Sequence, residues 1–143
     1  MAANSSSSSS VKRPRPARRR FTLDEANRTL PLVRRIVRDI VAVYDEAQQV
    51  HRQLESRPDA HVRARLESEL ERKLSRLQSL VDELQQVGAE LKDFRLGLVD
   101  FVSRHTGRDI YLCWKLGEES IQAWHELDAG FAGRQPISAL KLA

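Results

Sequence analysis

One hundred and forty-three residues, 41% hydrophobic and 31% charged, suit a single small soluble domain that buries one modest core, not two. The net charge of +4 comes from the first twenty residues, which hold six basic side chains and no acidic one. Residues 21–143 then carry 18 basic side chains against 20 acidic ones. The lone cysteine, Cys113, excludes an intramolecular disulfide and a cysteine-only zinc site, and fits a reducing compartment.

Residues 1–20 read as a disordered arm. A serine run from Ser5 to Ser10 leads into Lys12-Arg13-Pro14-Arg15-Pro16, and such a segment buries too little apolar surface to offset its ordering entropy. Arg19-Arg20-Phe21-Thr22-Leu23 superficially resembles a twin-arginine export signal, but Asp24-Glu25 follow where an apolar run is required. Export is therefore rejected. No window reaches the roughly 18 apolar residues of a membrane span, and the cytoplasm is the expected location. Lys12, Arg13, Arg15, Arg18, Arg19 and Arg20 are candidate contacts to nucleic acid or another anionic surface. If all six engaged B-form DNA, log affinity would fall against log salt with a slope of about −5. With no recognition motif and no aromatics among the cations, weak nonspecific polyanion binding is the expectation.

From residue 21 a single domain is expected, beginning with a helical hairpin over about 22–88. Thr22-Leu23-Asp24-Glu25 fits a capping box at a helix start. Pro31 predicts either a kink or a second start capped by Thr29. Val33, Val37, Ile40, Tyr44, Ala47, His51 and Leu54 then recur at steps of four and three, the stripe of a long amphipathic helix. Ser56-Arg57-Pro58-Asp59 supplies a turn, with Pro58 in the next helix's first turn. A second stripe runs Val62, Leu66, Leu70, Leu74, Leu77, Val81 and Leu84, closing at Val87-Gly88. Both helices should be about 40 Å long and pack antiparallel in a coiled-coil-like pair.

Beyond Gly88 the period changes. Glu90 to Phe94, Leu98 to Ser103 and Asp109 to Leu116 are short, glycine-bounded and apolar, which predicts a small antiparallel β-meander within about 89–137. His105-Thr106-Gly107-Arg108 is its clearest hairpin turn. Ser120 to Leu127 reads as a short helical turn in preference to a fourth strand, and Gly130, Gly133 and Pro136 as a loop. The fold class is thus α+β. Strand alternation puts Leu112, Trp114 and Leu116 on the core face and Tyr111 and Cys113 on the other.

The words Leu91-Lys92-Asp93, Gly97-Leu98-Val99-Asp100-Phe101, Leu112-Cys113-Trp114-Lys115-Leu116-Gly117-Glu118 and Trp124-His125-Glu126-Leu127-Asp128-Ala129-Gly130-Phe131-Ala132-Gly133-Arg134 stand in this region. With Phe21-Thr22-Leu23-Asp24-Glu25-Ala26-Asn27, they resemble the bacterial domain of unknown function 2203 family over roughly residues 21–137. One departure is Val102, where that resemblance leads one to expect proline. The resemblance brings no activity with it.

Chemically versatile residues crowd into the same stretch. Asp93, Asp100, Glu118, His125 and Arg134 are candidates for binding a small ligand or an anion. Asp100, Cys113, Glu118 and His125 form a mixed oxygen, sulfur and nitrogen set of the kind that holds a divalent metal, although none of the compact zinc spacings is present. The alternative is that His125 and Asp100 make buried hydrogen bonds that fix the meander. A nucleophilic role for Cys113 is disfavoured, since a cysteine between Leu112 and Trp114 reads as a small buried hydrophobe. The 130–134 loop matches neither a Walker loop nor a dinucleotide fingerprint. Three function classes follow: a noncatalytic interaction or structural module that pairs its hairpin with a second copy or a partner helix; a ligand-binding or metal-binding protein, with hydrolase-type chemistry as an extension; and a nucleic-acid accessory acting through the arm. The wide helical stripes favour the first.

Overall fold

The computed structural model describes residues 19–140; Lys12, Arg13, Arg15 and Arg18 lie outside the described residues. Helix α1 spans Leu23–Glu55. Its capping box is complete, with Thr22 Oγ1 accepting from the Glu25 amide at 3.0 Å and Glu25 Oε1 from the Thr22 amide at 2.9 Å. Pro31 lies inside this one continuous helix instead of opening a second, so α1 extends about 50 Å. After a turn in which Arg57 takes a positive φ of 57°, Asp59 caps α2, Ala60–Val87, by accepting from the Val62 amide at 2.9 Å. Pro58 therefore precedes the cap and is not in the first turn. Gly88, at φ 103°, ends α2 in the left-handed conformation.

The seam of α2 differs in part from the expected stripe. Leu66, Leu77, Leu80 and Leu84 are buried, whereas Leu74 is 51% exposed. At 3.6 residues per turn, eleven residues from Leu66 to Leu77 make three turns, and Leu74 drifts onto the flank. On α1 the same seam takes Val33, Ile36, Val37, Ile40, Ala47 and Val50.

Five antiparallel strands follow in sequence order: β1 Glu90–Asp93, β2 Leu98–His105, β3 Arg108–Lys115, β4 Ala123–Glu126 and β5 Gln135–Pro136. The β2–β3 hairpin pairs His105 with Arg108 across Thr106-Gly107, both at positive φ (47° and 81°), as a two-residue primed turn demands. The helical turn expected within Ser120 to Leu127 is instead strand β4, which pairs Tyr111 with His125 and Cys113 with Ala123. Alternating Trp124 and His125 on the two faces serves two environments at once, which a helix at this site could not do. Val99, Phe101, Ile110, Leu112, Trp114 and Trp124 form the core face and pack on the hairpin seam.

The amino-terminal approach is tied along β2. The Phe21 amide donates to the Val102 carbonyl at 2.8 Å, and the Phe21 ring meets Phe101 edge-on at 5.2 Å. Arg20 forms an ion pair with Asp109 at 2.8 Å, while Arg19 lies over Phe21 and donates to the Val87 carbonyl. The last two arginines counted with the arm are thus engaged with the domain.

Candidate metal centre

The opposite face of the sheet carries a second buried set, and it is polar at its middle. Register places Asp100 beside Cys113 and Cys113 beside Ala123, with Tyr111 beside His125 one step along. Asp100, Cys113 and His125 are each no more than 3% exposed. One ligating atom from each lies within 4.8 Å of the others, the one such set among the described residues.

The histidine's hydrogen bonds fix the protonation of this cluster. His125 Nδ1 lies 2.7 Å from the Glu126 carbonyl oxygen, which can only accept, so Nδ1 carries a hydrogen. Nε2 lies 3.0 Å from Asp100 Oδ2. A lone pair facing a carboxylate at that distance would repel, so a second proton lies between the two atoms. A third belongs to Cys113, whose thiol burial pushes up to about 12, with the charge of Asp100 adding to the effect. Burial also raises the Asp100 carboxyl, against the opposing pull of His125, Cys113 and Lys92.

Around the triad, Tyr111 packs on the His125 ring at 5.3 Å and donates to Glu90 at 3.0 Å. Lys92 pairs with Glu90 at 3.1 Å and lies over the Tyr111 ring. Glu118 accepts from the Lys115 amide at 2.8 Å and from Arg134 Nη2 at 3.0 Å. The charges of Arg134 and Glu118 both reach the Cys113 thiol, the first lowering and the second raising its pKa.

Of the residues singled out by sequence, the fold therefore brings together Asp100, Cys113 and His125, with Glu118 and Arg134 at their side. Asp93 is not among them. Its Oδ1 accepts from the Arg95 and Leu96 amides and shapes the β1–β2 turn. Tyr111 is expected on the Cys113 face, without a role, whereas Glu90 and Lys92 carry no expectation. Alternation signals Tyr111, which shares a face with Cys113, but the irregular register between Leu91 and Asp93 hides Lys92. The Glu126 carbonyl leaves no sequence signal at all.

Fold and site together define an α+β domain whose helical hairpin covers one sheet face while the other encloses a nitrogen, sulfur and oxygen donor set. The chain belongs to the family described as "Uncharacterized conserved protein (DUF2203)", whose model matches residues 19–137. No curated protein and no solved structure matches it.

Proposed function

We propose that this protein binds a divalent transition metal at Asp100, Cys113 and His125. The observation that carries the reading is the orientation of His125: Nδ1–H is spent on the Glu126 carbonyl, and Nε2 is aimed at Asp100, whose strand neighbour is Cys113. A backbone carbonyl holding one ring nitrogen so that the other ligates is the usual outer-shell support of a metal-bound histidine. Donor separations also fit. Ligands 2.0–2.3 Å from a tetrahedral ion lie about 3.3–3.8 Å apart, so atoms already within 4.8 Å need shift by only about 1 Å.

Charge supports a divalent ion. Without metal, the cluster contains a carboxylate, a thiol and an imidazole sharing one further proton, and is neutral overall. Replacing the shared proton and the thiol proton by one M²⁺ leaves it neutral again, so a buried site pays no net charge for the exchange. Mixed soft and borderline donors favour zinc among common ions, and three protein ligands suit Lewis-acid chemistry at a remaining position. Metal content of protein purified without chelator tests the reading. Near-stoichiometric metal lost in both His125→Ala and Asp100→Ala is expected; metal-free, stably folded wild type that takes up no added zinc would overturn it.

A second reading, the hairpin as an interaction module, draws on Leu74 and Leu32, which are 51% and 40% exposed on the helices. A molecular mass that rises with concentration and reverts in Leu74→Glu would support it; a constant monomer mass would not.

A further inference from the structure

Deepening the metal reading, on which it rests, we propose that the centre's remaining coordination position takes an external oxyanion, a carboxylate or phosphate group, whose second oxygen is held by Arg134. Three protein ligands leave a tetrahedral ion one exchangeable position. Ala123 and Trp124 pair with Pro136 and Gln135, and Arg134 is the residue immediately before that ladder, at the end where His125 follows Trp124. From there its side chain reaches Glu118, beyond the end of β3, with Nη2 at 3.2 and 3.0 Å from the two carboxylate oxygens.

Arg134 Nε is buried and has no hydrogen-bond partner. An inward N–H with no acceptor is costly, and an oxyanion seated between metal and guanidinium would satisfy it through a charge-assisted bond. The pair is also the way in. Arg134 and Glu118 side chains are 19% and 25% exposed, against 3% and 4% for His125 and Asp100. Glu118 therefore acts as an internal competitor: an arriving anion takes its place on Arg134.

The test uses full-length protein loaded with cobalt(II), whose visible spectrum reports ligand exchange. Acetate and inorganic phosphate are titrated separately, with perchlorate matching ionic strength, into wild type, Arg134→Gln and Glu118→Gln. A saturable spectral change is expected in the wild type. With every protein saturated with cobalt, it should weaken roughly ten- to hundredfold in Arg134→Gln and strengthen in Glu118→Gln, an opposition that a merely structural ion pair would not produce. Response to acetate alone assigns a carboxylate ligand, and to phosphate alone a phosphate. Cobalt uptake without response to either anion, or an undiminished response in Arg134→Gln, overturns this inference and leaves the metal reading standing. Failure of the wild type to take up cobalt overturns both.

Discussion

If the ion replaces two protons, its affinity has to rise with pH, and the slope counts them. The perturbation is Cys113→Ser, which keeps a hydroxyl at the sulfur's place but retains its proton through the neutral range. In the wild type the Cys113 thiol, pushed up to about 12, stays protonated at every practical assay pH, so its displacement contributes one full proton throughout. The proton between His125 Nε2 and Asp100 Oδ2 contributes the second wherever that pair still holds it. Log affinity should then climb by two per pH unit, about a hundredfold, or ~2.7 kcal/mol per unit. An unburied thiol would instead stop contributing near its ordinary value. Calorimetric titration with zinc in two buffers of different ionisation enthalpy reads the proton count directly. Two protons released by the wild type and one by Cys113→Ser is the expected pair of results. Equal release by the two proteins would refute a thiolate ligand, and zero release by the wild type would refute the exchange altogether.

Three further outcomes follow from the fold. Gly97 holds φ +71°, and an added Cβ would sit 2.8 Å from Leu116 Cβ and 3.0 Å from Val37 Cγ1, so Gly97→Ala should cost about 2–5 kcal/mol in urea unfolding. A loss under 1 kcal/mol would mean that the β1–β2 turn yields easily. Glu25 is held below the ordinary 4.5 by the Thr22 amide, and Glu126 by Arg108. Folded carboxyls with lowered values lend stability that is complete above 4.5 and lost as pH falls through the folded values. The double variant Glu25→Gln/Glu126→Gln should show a shallower acid limb below pH 4.5, and an unchanged limb would contradict the assignment. Finally, with Arg20 paired to Asp109 and Arg19 lying over Phe21, four cations remain for the arm. Any DNA binding should therefore show a salt slope of about −4 and disappear on deleting residues 1–18. A slope near −5 would return both arginines to the arm.

The hairpin was legible because its signals are local: Thr22 and Glu25 three residues apart, apolar residues at helical spacing, and Gly88 at the end. Pro31 left a kink and a second start both open, and only the second is overturned, since long-range packing of α1 outweighs one missing hydrogen bond. Strand β4 was obscured because four residues are too few to show alternation and no tight-turn signal joins it to β3. The candidate donor set was legible from residue types, with Glu118 counted in it, but not its geometry. Only the antiparallel register unites Asp100, Cys113 and His125, and only the structure shows that Asp93 spends its carboxylate on a turn. The deciding contact, a backbone carbonyl on His125 Nδ1, has no residue-specific signature.

The same register allows the binding reading to be separated from its plainest rival, in which His125 and Asp100 simply brace the meander. A buried ion pair broken on one side leaves its partner uncompensated, so Asp100→Ala or His125→Ala should cost roughly 3–5 kcal/mol in metal-free protein. That much both readings share. They part over Asp100→Leu/His125→Phe, which replaces both members with apolar groups of similar bulk. Removing a desolvated pair in this way is commonly neutral or stabilising, because no charge need be buried. A double variant at least as stable as metal-free wild type, yet unable to take up zinc, would show that the fold does not need the pair and that its place in the sheet belongs to the ion. A double variant as unstable as either single one would give the pair back to the meander, and Cys113 would then be no more than a small apolar neighbour.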